Sequence, residues 1–210
     1  MTDSNSPTET VRRKTELRTT VLARRAALSP AEREAAAQTL VDQIPDLALP
    51  DTACLVSGFW PIRDEIDVRP LMSALAAAGH RLALPVIGPN RHLSFREWSH
   101  GTPLVPAGFG TSEPDGDCPA CDPAILLVPL VAFDRQGARL GYGKGHYDGA
   151  ISRLAALGPV RTIGVAFATQ EVDVVPMEPH DRHLDAVLTE AGLLRFAPLS
   201  GEPDAHTVPG

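Results

Sequence analysis

Three features predict an α/β fold with a mainly parallel sheet. Apolar, strand-like runs alternate with helix-like segments along the chain. One run, residues 124–132, is almost unbroken in its apolarity, as a central strand covered on both faces must be. A glycine-rich turn and a helix start follow that run, the order in which open α/β sheets build ligand sites. The chain has 210 residues, 43% hydrophobic and 21% charged, which is an ordinary globular composition with one domain as the default. No internal repeat is visible.

Residues 10–28 predict a helix with Val11, Leu17, Val21, Leu22 and Leu28 as its apolar side. Ser29-Pro30-Ala31-Glu32 is a capping box with proline at the first helical position, opening a second helix to about residue 44. A strand is expected over 52–57, a turn over 58–65, and a helix from about 68 that Gly79 terminates. Strands follow at 81–87 and, with alternating burial, at 92–98. Residues 99–123 are rich in glycine and proline and read as a long loop. After the central strand, 134–145 reads as a turn, 146–157 as a helix, 161–167 as a strand and 186–189 as a last short strand. Polar tails are expected at 1–9 and 197–210, leaving one domain over 10–196.

The formal charge of −7 disfavours a general nucleic-acid binder. No run of 18 apolar residues marks a membrane span, and the first ten residues are polar and acidic, so a cytoplasmic protein is expected. Three cysteines do not make a disulfide framework. Cys118-Pro-Ala-Cys121 lacks the second pair that a four-ligand zinc site needs, and reads as a cysteine-containing loop.

Only two of the nineteen basic residues are lysines, Lys14 and Lys144. Lys144 lies in Arg139-Leu-Gly141-Tyr142-Gly143-Lys144-Gly145-His146-Tyr147-Asp148, between the buried strand and a helix. Glycines let a backbone approach a ligand closely, a helix N-terminus offers unpaired N–H groups, and Arg139 and Lys144 add charge. The segment is built like an anion cradle, although it matches neither a Walker A loop nor GxGxxG. Asp148 either complements the helix dipole or serves as a Mg²⁺ ligand beside phosphates. Asp181, in Glu178-Pro-His180-Asp181, is a second candidate, or a solvated loop acid. Lys14 and Arg18 share a helix face, with Arg25 near the same stripe, either as a solvated basic face or as part of the site. Trp60 and Glu65 occupy the turn after the first strand, where a carboxylate can accept paired hydrogen bonds from an amino-pyrimidinone edge or simply face solvent.

Over residues 12–194 the chain resembles the 5-formyltetrahydrofolate cyclo-ligase family. The match runs through Lys14 and Arg18, Pro61-Ile-Arg-Asp-Glu-Ile-Asp67, Gly108-Phe-Gly110 with Glu113-Pro114, Val128-Pro-Leu-Val-Ala-Phe-Asp134, the 139–148 loop, Gly164-Val-Ala-Phe167 with Gln170, Val175-Pro176 with His180-Asp181, and Asp185 through Thr189-Glu190. The resemblance implies a three-layer α/β/α domain similar to CoA-transferases and ribose-phosphate isomerases. It implies a monomer that uses ATP and Mg²⁺ to close 5-formyltetrahydrofolate to 5,10-methenyltetrahydrofolate, releasing ADP and phosphate through a phosphorylated formyl intermediate. Lys14, Arg18, Arg139, Gly141, Tyr142, Gly143, Lys144, Gly145, His146, Tyr147, Asp148 and Gly149 would then hold ATP. Arg18, Trp60, Glu65, Tyr142, Gly143, Lys144, Gly145 and His146 would line the folate site. Lys144 and Arg139 would stabilise the transferring phosphoryl group, and Asp148 and Asp181 would hold Mg²⁺. His146 stands where many relatives have Tyr or Phe, and Gly149 where Arg is common. A sugar-phosphate isomerase or CoA-transferase, and a non-catalytic nucleotide or folate binder, are the rival readings; isomerase activity without ATP would select the first, and ligand binding without turnover the second.

Overall fold

The computed structural model describes residues 7–89 and 92–196. The tails expected at 1–9 and 197–210 lie outside the described residues up to residue 6 and from residue 197. Pro7 to Glu9 already form the first turn of α1 (Pro7–Ala26). The capping box holds as read: Ser29 Oγ accepts from Glu32 N at 3.3 Å and Glu32 Oε2 accepts from Ser29 N at 2.8 Å, starting α2 (Pro30–Asp42). Then come β1 (Leu55–Ser57), α3 (Arg69–Ala77), β2 (Arg81–Ile87) and β3 (Leu93–Trp98). Gly79 ends α3 with φ +93°, the left-handed conformation its position suggested.

Eight strands form one sheet. In spatial order these are β12 (Gly192–Arg195), β11 (Ala186–Thr189), β10 (Arg161–Val165), β7 (Ile125–Pro129), β1, β2, β3 and β6 (Ala120–Cys121). The five central strands from β11 to β2 are parallel, and the edge strands β12, β3 and β6 pair antiparallel. Alternation along the strands divides the core. Val56, Leu82, Leu84, Ile125, Leu127, Ile163 and Val165 face α2 and α3. Ala83, Leu126, Val128 and Val187 face α4 (His146–Ala155) through Ala150, Ile151 and Leu154. The result is the expected helix–sheet–helix sandwich.

The structure corrects the sequence reading in four places. The 99–123 segment is not all loop: β4 (Leu104–Pro106) and β5 (Ser112–Pro114) make a small hairpin before β6. The 134–145 turn contains half of another, since β8 (Ala132–Phe133) pairs with β9 (Arg139–Leu140). Ala186–Thr189 is not the last strand, because β12 folds back on it. Finally, α1 presents only part of the apolar side expected of it. Val11 is 55% exposed, whereas Thr10, Lys14, Val21 and Arg25 are buried. Val21, with Leu17 and Leu22, joins a small apolar cluster with Ala132, Leu140 and Val175, and Leu28 packs on the core under α2 and α3; Lys14 and Arg25 add a polar part to the inward side.

Candidate active site

Strands β1 and β7 are parallel neighbours, with Val56 opposite Ile125 and Ser57 opposite Leu126. From β1 the chain moves by way of α3 to β2 on one side, and from β7 by way of α4 to β10 on the other. The two helices cover opposite faces. This is a topological switch point, where strand ends diverge and leave a crevice. It brings the turn after β1 beside the glycine loop that follows β7.

The glycine loop is tied down from below. Asp134 is buried and accepts from Gln136 N at 2.9 Å and Ala138 N at 3.0 Å on one oxygen, and from Val175 N at 2.9 Å on the other. Gln170 donates to the carbonyls of Leu130 and Val131, both at 2.9 Å, where the chain leaves the sheet. Above these struts Gly143 has φ +87° and Gly145 φ +69°. A Cβ at Gly143 would stand 3.1 Å from an Arg18 guanidinium nitrogen, so the glycine admits that arginine as well as the turn. Arg18 Nε donates to Gly141 O at 2.8 Å. Gly145 caps α4 without a side-chain bond, which sets the N-terminus of that helix at the end of the loop. Lys144 is exposed on the rim, and His146 is half-buried.

Arg139 sits under this loop, buried, donating to Asp148 Oδ1 at 2.7 Å and to the Arg182 carbonyl. Burial pulls its guanidinium below its ordinary range, while Asp148 and Asp181 oppose that. Arg182 N adds a 3.0 Å bond to the same Asp148 oxygen. Lys14 Nζ reaches Glu178 at 2.7 Å and Asp181 Oδ2 at 2.6 Å. Burial would lower the Lys14 ammonium, but these two carboxylates outweigh it and leave it raised. Glu178, His180 and Asp181 have ligand atoms within 4.8 Å of one another, and the Lys14 ammonium binds one oxygen of each carboxylate, Glu178 Oε2 and Asp181 Oδ2.

Glu65 accepts from Ile62 N at 3.0 Å. Burial pushes its carboxyl up, against the opposing pull of Ile62 N–H, Arg25 and Tyr142. The Tyr147 hydroxyl is buried without a partner; burial, with Glu65 nearby, pushes it far above its usual range. The Trp60 ring lies edge-on to Trp98 at 6.0 Å and under Arg69 at 5.3 Å, lining a cleft of about 560 Å³ with Met72 and Leu104. Gly149 is exposed, and a Cβ there would meet nothing within 4 Å. Thus Lys14, Arg18, Glu65, Arg139, the glycine loop, Asp148 and Asp181 gather about the switch point, while Trp60 lines this cleft. The sequence reading placed Arg25 near the Lys14–Arg18 stripe but gave it no partner, and gave Asp64 and Glu178 no role of their own. Arg25 and Asp64 pair at 2.7 Å, and Glu178 receives Lys14. Of the cysteine pair, Cys121 lies on edge strand β6, and burial with Glu97 and Asp122 pushes its thiol up to about 11.

A cationic glycine loop at the switch point of a parallel sheet, walled by a basic helix, defines an α/β domain built to hold a polyanion. A family model narrows this class. The chain belongs to the 5-formyltetrahydrofolate cyclo-ligase family, whose model matches residues 10–190. It is 35% identical to 5-formyltetrahydrofolate cyclo-ligase of Mycolicibacterium smegmatis, covering 85% of this chain and 94% of that protein. It is 32% identical to the Escherichia coli K12 enzyme of the same name, over 79% of this chain and 94% of that one. The solved structure of 5,10-methenyltetrahydrofolate synthetase from Aquifex aeolicus superposes with a TM-score of 0.74 at 30% identity, covering 92% of this chain and 98% of that one. Among the described residues no helix is long and apolar enough to cross a membrane.

Proposed function

We propose that this chain is a ligase that closes 5-formyltetrahydrofolate to 5,10-methenyltetrahydrofolate with ATP. The observation that carries this reading is the convergence, at the β1–β7 switch point, of a cationic glycine loop with a buried carboxylate on the opposite turn, in a chain that belongs to the family from end to end of its fold.

The formyl oxygen on N5 attacks the γ-phosphorus of ATP, and the bond to the ADP oxygen breaks. N10 then attacks the activated carbon, loses its proton, and phosphate departs. No protein nucleophile is needed; charge neutralisation and alignment are. Lys144 on the loop rim and the N-terminal dipole of α4 stabilise the transferring phosphoryl group. Arg18, fixed against Gly141, supplies a second cation. Arg139 is a strut: clamped by Asp148 and the Arg182 carbonyl, it holds the loop's base and balances the aspartates. Lys14 keeps the 178–181 segment folded over the phosphate end. Glu65 receives the adjacent N–H donors of the pterin.

Asp148 and Asp181 fit a Mg²⁺ ion. The hydrogen bonds to Asp148 fall on Oδ1 and those to Asp181 on Oδ2, which leaves each with one hard oxygen outside that set. The ion, when bound, would neutralise phosphate charge. We read the protein as a cytoplasmic monomer with no nucleic-acid partner. The test is the rise in methenyltetrahydrofolate absorbance from 5-formyltetrahydrofolate, ATP and Mg²⁺. Absence of that rise, or an equal rate without ATP, sinks the reading.

A further inference from the structure

We propose that Arg25 is a positioning residue whose guanidinium bridges the Glu65 turn and the glycine loop, setting the geometry in which Glu65 meets the pterin. The inference rests on the folate reading of Glu65 above.

Arg25 is 1% exposed, an unusual place for a guanidinium. One of its terminal nitrogens donates both to Asp64 Oδ1 at 2.7 Å and to the Tyr142 hydroxyl at 2.8 Å. Asp64 precedes Glu65 on the turn after β1, and Tyr142 lies between Gly141 and Gly143 of the loop after β7. One buried atom therefore joins two segments that the sequence separates and that must meet to form the site. Arg25 Nε is buried with no partner, so the side chain is not arranged to satisfy itself. A pair that served packing alone would gain from the forked, two-bond geometry that arginine offers carboxylates. Here the second contact goes to the glycine loop instead.

The turn it holds is strained. Arg63 takes φ +54°, which non-glycine residues rarely adopt. Arg33 from α2 supports the same corner, donating to Asp64 O at 3.1 Å and to Arg25 O at 3.1 Å. The groups acting on the Glu65 carboxyl are Arg25 from α1, Asp64 from its own turn and Tyr142 from the loop, while Tyr147 of α4 feels its charge. Burial lifts that carboxyl, and Arg25 opposes the lift. Losing Arg25 should thus both misplace Glu65 and make it harder to ionise.

The experiment is steady-state kinetics with folate and ATP varied separately, as a function of pH, on wild type, Arg25→Met, Arg25→Lys, Tyr142→Phe, Arg25→Met/Tyr142→Phe and Glu65→Gln, each with a thermal melt. Arg25→Met should raise the folate KM about tenfold or more while the ATP KM stays within about twofold. The acid limb of kcat/KM for folate should move to higher pH, Arg25→Lys should restore part of both, and the double variant should be no worse than Arg25→Met. If Arg25→Met does not fold, Arg25→Lys and its combination with Tyr142→Phe decide by the same criteria. Folate KM and acid limb unmoved in the arginine variants, while Glu65→Gln raises the folate KM, would overturn the inference alone. So would parallel losses toward both substrates, the mark of a merely structural role. A neutral Glu65→Gln in an active enzyme overturns the Glu65 reading and this inference with it; a wild type that does not close the ring overturns the function.

Discussion

The two ends of α1 carry cations into the same crevice on different terms. Near its start, Lys14 meets Glu178 and Asp181, whose side chains keep 30% and 15% of their exposure. Near its end, Arg25 is sealed, with Asp64 and a tyrosine hydroxyl as its partners. Asp64 keeps 23%, so the carboxylates are alike in exposure and the wiring differs: Lys14 gathers two carboxylates of one loop, whereas Arg25 joins two separate segments. The difference teaches that one helix can carry both a charge-balancing cation and a brace on its inward side.

The largest effect should come from the phosphate end. Lys144→Ala should lower kcat about 10²–10³-fold, and Lys144→Arg should recover only part, since a planar fork replaces a compact ammonium. Full activity in the alanine variant would remove Lys144 from the mechanism.

The brace is best broken by stability. Arg25→Met leaves Asp64 part-buried without its cation, and chemical denaturation should show a loss of about 3 kcal/mol. Lys14→Met leaves Glu178 and Asp181 part-buried without their cation and should cost a similar amount, yet raise the ATP KM, which Arg25→Met should leave within about twofold. Equal changes in the ATP KM would erase the contrast between the two ends.

Glu65→Gln should weaken folate binding by ~1.5–3 kcal/mol with ATP binding nearly unchanged, measured by direct titration of each ligand. The pH dependence has a definite sign. Burial raises the Glu65 carboxyl above its ordinary 4.5, so on acidification the wild type should lose folate affinity at a pH above that value. The glutamine variant should lack this limb. Asp148→Asn and Asp181→Asn should raise the Mg²⁺ concentration needed for half-maximal rate while moving the melting temperature less; unchanged Mg²⁺ dependence in both would leave them as structural acids.

The smallest effect tests how α1 is seated. Val11→Ser should change stability by less than about 0.5 kcal/mol, because Val11 faces solvent. A large loss would restore the amphipathic reading of the helix.

The apolar reading of α1 holds for Leu17, Val21, Leu22 and Leu28 and fails for Val11. Apolar periodicity finds the part of a helix that packs on a core, and it is silent on the buried cations Lys14 and Arg25. The cationic spacing of the helix was legible, but the partners at 64, 142, 178 and 181 are set by chain topology. The central strands and their order of helices could be read because burial on both faces demands continuous apolar runs, as in β7. Strands β8 and β9 have two residues each, shorter than one alternation, and β12 is a half-buried edge. None leaves a strong pattern. Trp60 was legible only by its position after β1; its neighbours Trp98 and Arg69 come from β3 and α3, which spacing could not supply.

The reach of Lys14 has a consequence for how the protein is made. Its bond to Asp181 spans 167 residues of chain. During synthesis Arg25 finds Asp64 39 residues on, but Lys14 waits for Asp181 until most of the domain has been made. The sheet can begin to assemble around β1 and β2, whose contacts are closer in sequence. The phosphate end of the crevice closes last, so completion of this site reports completion of the fold.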